Sequence, residues 1–275
     1  MARAREISQP ALKRHWAPWH TASVSIVTAV CLGMAFWFPW GPFAAWIVLM
    51  IAMALFILIV GHGVTGAWTG AIIDDRCKMS LSRLQLLLWT IVVVSALAVI
   101  ATVRMRQDAA TALDIGVPAT LWTLLAITST SLVGSPVIKS TQKASGAPEP
   151  SRLHTYFALQ GKTTDEVDWQ GPVVTNASIA QASPADLFTG EYVNNFTLLD
   201  VGKIQLFLFT VLLLLQYCLS IGHVLSHEPY PASLPDIGAG VLPLFGVSHA
   251  GYLMNKVVTS PLMSRPDAGE GANHG

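Results

Sequence analysis

Charge is what this sequence is poorest in. Asp, Glu, Lys and Arg make up only 12% of its 275 residues, about half the share of an ordinary soluble domain, which argues against a water-covered globule. Cysteine is scarce too. Cys31, Cys77 and Cys218 stand far apart with no CxxC spacing, which disfavours a disulfide framework or zinc site, and they read as small apolar residues. No P-loop, dinucleotide glycine fingerprint, HExxH helix or GxSxG elbow occurs. The glycines of Gly61–Gly70 follow an apolar block rather than a strand, so they make no phosphate cradle. No basic tract interleaved with aromatics offers a nucleic-acid surface. These absences point to a protein that is not an enzyme and has neither cofactor nor nucleic-acid partner.

What is there is apolar. Hydrophobic residues reach 52% and gather in six uncharged blocks: Ala22–Phe38, Phe43–Gly61, Leu84–Val103, Ala119–Ile138, Ile204–Gly222 and Gly240–Asn255. A run of roughly 18 apolar residues can cross the hydrocarbon core as a helix, and a helix satisfies its own backbone in lipid. The sequence therefore predicts an all-α integral membrane protein with six transmembrane helices, the lipid bilayer being its first partner. "PWGP" (Pro39–Pro42) joins the first two blocks in a tight hairpin. Arg3, Arg5, Lys13 and Arg14 give the first block the look of a signal peptide, but no small-x-small cleavage site follows, so it reads as a retained anchor. With the amino terminus inside, every Lys and Arg except Arg104 and Arg106 falls on the cytoplasmic side. Both termini are thus expected in the cytoplasm.

The chain repeats itself. "SLSRLQLLLWT" (Ser80–Thr90) lies over "DVGKIQLFLFT" (Asp200–Thr210) at a constant offset of 120, and "WTGAIIDD" (Trp68–Asp75) lies over "FTGEYVNN" (Phe188–Asn195) at the same offset. Each copy holds two apolar blocks, so both copies run the same way, as parallel repeats about an axis along the membrane normal. The expected organisation is a cytoplasmic segment 1–21, a transmembrane hairpin 22–61, a first repeat 62–138, a cytoplasmic segment 139–187, a second repeat 188–260 and a disordered tail 261–275. Inside 139–187, Ser183 as cap and Pro184 in first position predict a short helix over Ala182–Phe188, lying along the membrane surface.

Candidate residues follow from the repeat. Arg83 and Lys203 stand where a helix leaves the interface, and both can reach toward phosphates while their stems stay apolar. Gln85 and Gln205 can bond across to a neighbouring helix, with Trp89 and Phe209 one turn further on the same faces. Packing and interface anchoring is the expected role of all six. The fourth and sixth blocks are more polar. Thr128, Ser129 and Ser131 in one, and Ser248 and His249 in the other, suit close helix packing and would equally suit a polar path. His223 and His227, at i and i+4, share a helix face and make an incomplete metal pair. His62 lies at the wrong depth to join His249 as a haem ligand. No block as drawn contains a charged residue, which disfavours an ion-coupled carrier.

The stretches "SLSRLQLLLWTIVV", "TSTSLVGSP" and "GVSHAGYLMNK" resemble those of uncharacterised bacterial multi-pass membrane proteins, over roughly Gly61–Ser140 and Phe188–Ser260. The resemblance implies a bacterial inner-membrane location and brings no catalytic or ligand residue. The expected function is a non-catalytic membrane scaffold or complex subunit that meets a protein partner, or a second copy, on its cytoplasmic side. The alternatives are a channel or passive permease lined by the fourth and sixth helices, and a haem- or metal-binding subunit.

Overall fold

A computed structural model of the chain describes residues 15–36, 40–144, 148–163, 167–238 and 240–258. Arg3, Arg5, Lys13, Arg14, Pro39 and the tail expected to be disordered lie outside them. Among the described residues the chain is mostly helical: α1 (Pro18–Phe36), α2 (Pro42–Thr65), α3 (Leu81–Met105), α4 (Ala119–Ala144), α5 (Pro150–Leu159), α6 (Val201–His227) and α7 (Leu242–Val258). Between α5 and α6 the strands β1 (Asp168–Gln170) and β2 (Val173–Thr175) pair antiparallel.

Six of these helices fall on the six apolar blocks, and they run further than the blocks do. α4 continues past residue 138 to Ala144, α6 begins three residues before Ile204, and both extensions bring lysine into a helix. Four helices among the described residues, α2, α3, α4 and α6, are long and apolar enough to cross a membrane. Six were expected. α7 has 17 residues, and α1 ends at the undescribed stretch 37–39.

The helix ends follow from their residues. Pro42 opens α2, where its missing N–H is no loss. Gly66, at φ 76°, closes α2 in the left-handed conformation that glycine adopts freely and returns its N–H to His62 O at 2.8 Å. Asp200 caps α6 by accepting from Lys203 N at 3.2 Å. Pro136 inside α4 cannot donate to Leu132 O, so the helical ladder is interrupted there.

The four helices of the segments aligned by the 120-residue offset pack together. α3 packs on α4 and α6 on α7, while α3 also meets α6 and α4 meets α7; α1 and α2 lie to the side, on α3. Trp89, Ala96, Ile100, Leu121, Leu124, Tyr217 and Phe245 fill the shared core. α3 starts at Leu81 and α6 at Val201, the same offset as the sequence repeat. Thr90 Oγ1 donates to Leu86 O and Thr210 Oγ1 to Leu206 O, each at 2.8 Å, one bond in two copies. At the far end the two connecting loops join in a parallel bridge, Gly116 N donating to Ala232 O at 3.0 Å and Leu234 N to Gly116 O at 2.9 Å.

The segment between the copies makes a small subdomain. Leu153 and Phe157 of α5 pack with Val174 and Val193 over the β-hairpin. The short helix expected near Ser183 is a 3-10 turn over Pro184–Leu187. Its start is doubly capped: Ser183 Oγ accepts from Ala185 N at 3.3 Å, and Asp186 Oδ2 accepts from Ser183 N at 2.9 Å.

Candidate functional site

The bundle gathers its buried charges at one end, where α3 and α6 begin and α4 and α7 finish. Glu191, on the segment leading into α6, is 5% exposed. Its Oε1 faces Lys203 Nζ at 3.2 Å and Arg76 Nη2 at 3.4 Å, and its Oε2 faces Lys139 Nζ and Lys256 Nζ, each at 3.1 Å. Those cations come from the turn before α3, from α4, from the first turn of α6 and from the last turn of α7. One carboxylate therefore ties all four elements together. Asp74 Oδ2 takes Arg76 Nε at 2.9 Å and Nη2 at 2.8 Å, with Lys139 at 3.6 Å. Asp186 pairs with Lys78 at 3.4 Å and also accepts from Met79 N.

The electrostatics follow from this geometry. Burial alone would push the Glu191 carboxyl up, but the charges of Arg76, Lys139, Lys203 and Lys256 outweigh it and hold the group well below the usual carboxylate range. Burial would raise Asp74 as well; Arg76 and Lys139 bring it down. Even so, cations are in excess. Within this buried network Arg76, Lys78, Lys139, Lys203 and Lys256 stand against Asp74, Asp186 and Glu191, five cations to three carboxylates. Hydroxyls complete the network: Lys256 Nζ donates to Ser135 Oγ, and Tyr192 Oη donates to Lys256 O.

Glu191 was not a candidate in the sequence. Its one visible signal is a break in the repeat: a carboxylate stands at position 191 where the first copy has Ala71.

The residues singled out by the repeat have diverged. Lys203 does not reach outward toward phosphates. It is 3% exposed and donates to Thr189 O at 2.7 Å while pairing with Glu191, because the carboxylate inside outcompetes the interface. Arg83 keeps the outer course, its Nη1 donating to Ile73 O at 2.6 Å. Gln85 is buried and bonds across the bundle to Thr210 Oγ1, whereas Gln205 is exposed. Trp89 is fully buried with its ring 5.7 Å from that of Tyr217, and Phe209 is half-buried against the same core.

The polar-path set divides by face. Thr128, Ser131, Ser248 and His249 point inward, and Ser131 Oγ meets His249 Nδ1 at 2.5 Å. Ser129 is exposed on the outside of α4, so it lines no interior path. His223 and His227 stack with ring centroids 4.3 Å apart on an exposed face, and His227 Nδ1 bonds His223 O at 3.0 Å. His62 meets His20, Nδ1 to Nε2 at 2.9 Å, beside Trp19 and Trp68. Among the described residues, no three His, Cys, Asp or Glu side chains group as metal ligands.

Two cavities open at the charged end, lined by residues that the offset of 120 aligns. One, of about 140 Å³, lies between α3 and α4; the other, of about 580 Å³, lies between α6 and α7. Asp75, Ser80 and Ser135 line the first where Asn195, Asp200 and Asn255 line the second, each pair at the offset of 120. No protein family, curated protein or solved structure matches this chain. Fold and site together define a mostly helical protein with helices fit to cross a membrane and a buried ionic clamp at one end of them.

Proposed function

We propose that the protein is a non-catalytic integral membrane scaffold or complex subunit. It crosses a bacterial inner membrane six times, as an N-terminal hairpin and two like-oriented helix pairs, with both termini and the charged end in the cytoplasm. The observation that supports this best is the Glu191 clamp. A carboxylate bonded to cations from four elements fixes those elements against one another, which suits a rigid platform better than a carrier whose halves must separate. The α5 and β-hairpin subdomain beside the clamp is the surface proposed to meet a protein partner. Its Leu159, 80% accessible, is a large apolar side chain left outside at the end of α5, while Leu153 and Phe157 of the same helix face inward.

The test is affinity purification in mild detergent with mass-spectrometric identification of co-purifying chains. A partner at fixed stoichiometry, lost on Leu159→Asp, is the expected result; a protein that purifies alone, with or without the substitution, would overturn the proposal. A channel is the second reading, and one observation favours it. Gln85 Oε1, Trp89 Nε1, Tyr217 Oη and His249 Nε2 are buried in the bundle with no hydrogen-bond partner among the described residues, and such groups are commonly satisfied by internal water. Ion or solute flux in proteoliposomes, abolished by Ser131→Val or His249→Phe, would establish the channel and displace the scaffold.

A further inference from the structure

The cavity between α3 and α4 differs from its counterpart in the second copy at one decisive position. At the start of α6 the Asp200 carboxylate supplies a negative charge to the helix terminus and accepts an amide N–H. The corresponding residue at the start of α3 is Ser80, whose side chain makes no capping bond. The first amides of any helix have no acceptor within the helix, and the dipole makes that end positive. Ser82, in the first turn of α3, lines the cavity, is 2% exposed, and its Oγ has no hydrogen-bond partner among the described residues, so a buried donor faces this space at the helix start that lacks a carboxylate.

Arg83 sharpens the contrast. It lines the α3/α4 cavity, whereas its counterpart Lys203 has turned into the bundle to meet Glu191. The Arg83 guanidinium bonds one backbone carbonyl, Ile73 O, and no carboxylate lies within ion-pair distance of it among the described residues. Its remaining N–H groups suit the oxygens of a phosphate. Asp74 and Asp75 also line the cavity, but both are engaged, Asp74 by Arg76 and Lys139, and Asp75 by Lys143 at 2.6 Å. A volume of about 140 Å³ admits a phosphate group and not a large ligand. Pro136, at the exposed rim of the cavity, is flanked on the outside of α4 by Val133 and Val137, which are 63% and 57% exposed.

We infer that this cavity is a site for the phosphodiester of a membrane phospholipid, held by Arg83 and the uncapped start of α3, with the acyl chains lying along Val133 and Val137. The inference rests on the membrane reading above, since it is the bilayer that brings a phosphodiester to the height of Arg83. The twin cavity between α6 and α7 already holds the Asp200 carboxylate and has no cation among its lining residues, so it does not share the function.

Native mass spectrometry of the protein, stripped of lipid in detergent, tests this with three probes: phosphatidylglycerol, diacylglycerol of the same chains, and inorganic phosphate. The expected result is one phosphatidylglycerol retained per chain, no retention of diacylglycerol, and no displacement by millimolar phosphate. Arg83→Gln is expected to weaken retention about tenfold, and Arg152→Gln, in the subdomain, to leave it unchanged. Equal retention of diacylglycerol would reduce the site to an apolar groove, and full displacement by inorganic phosphate would make it a small-anion site; either overturns the inference. Should Arg83→Gln fail to fold, the comparison of phosphatidylglycerol with diacylglycerol on the unaltered protein decides alone. Recovery of the chain in the soluble rather than the membrane fraction would instead count against the membrane reading, which keeps the two failures apart.

Discussion

Replacing Glu191 with glutamine keeps the shape of the side chain and removes the charge on which Arg76, Lys139, Lys203 and Lys256 converge. Breaking a buried ion pair by deleting one partner costs about 3–5 kcal/mol, because the other charge is left buried and uncompensated. Here four cations lose a partner at once, and Asp74 can neutralise only part of the remainder. The loss is therefore expected at the top of that range. At about 2–4 °C for each kcal/mol in a chain of this size, the apparent melting temperature falls by roughly 10–20 °C. The converse change separates this account from a general intolerance of substitution. Since buried cations outnumber carboxylates, Lys139→Met relieves like-charge repulsion while losing two pairs, and it should cost well under half as much as Glu191→Gln. The assay is thermal unfolding in one detergent at one scan rate, with exposed Glu149→Gln as control. A Glu191→Gln protein that melts with the wild type, or a Lys139→Met protein that melts below Glu191→Gln, refutes the clamp.

Acid should undo the same clamp with a defined sign. Glu191 and Asp74 are both held below their unfolded values, so their stabilisation is complete above about pH 5 and is lost as pH falls through the depressed folded values. A melting temperature that declines between pH 7 and pH 5 by more in the wild type than in Glu191→Gln would contradict this. Gly70→Ala would drive a Cβ against Thr65 Oγ1 and Gly61 O, and Gly190→Ala against Asn195. Each should destabilise by about 1–3 kcal/mol, and an unchanged melt for either removes the packing reason for the shared Thr-Gly. A double-mutant cycle on Gln85→Leu and Thr210→Val should give a coupling of about 0.6–1.7 kcal/mol; additivity would deny the bond across the bundle.

The helices were legible in the sequence because apolar length is a local property. Each of the six apolar blocks coincides with a helix, most of which run a few residues past it, and α3 and α6 begin at the offset of 120 that the sequence shows. Ser183 and Pro184 likewise announced their own turn, since a cap is written in adjacent residues. The clamp is written nowhere locally. Its members are spread from Asp74 to Lys256, and each alone reads as an interfacial charge until the fold brings them within 4 Å. Lys203 shows how the repeat itself misleads. Its equivalence to Arg83 predicted a shared outward course, but the first copy has Ala71 where the second has Glu191, and a carboxylate at that point recruits the lysine inward. That Gln205 and Ser129 lie on outer faces was hidden for a related reason: spacing fixes which residues share a face, and only packing decides which face is inside.

The most direct test of the two-copy architecture in a membrane is the sidedness of three single cysteines, placed in a chain from which Cys31, Cys77 and Cys218 have been removed. Ala110→Cys sits in the loop between α3 and α4, Ala232→Cys in the loop between α6 and α7, and Ser151→Cys at the start of α5, all at exposed positions. A membrane-impermeant maleimide added to intact cells should label Ala110→Cys and Ala232→Cys alike, and Ser151→Cys only after the membrane is opened. Labelling of Ala110→Cys and Ala232→Cys from opposite faces would mean that the two helix pairs do not run the same way, and would contradict the account at its root.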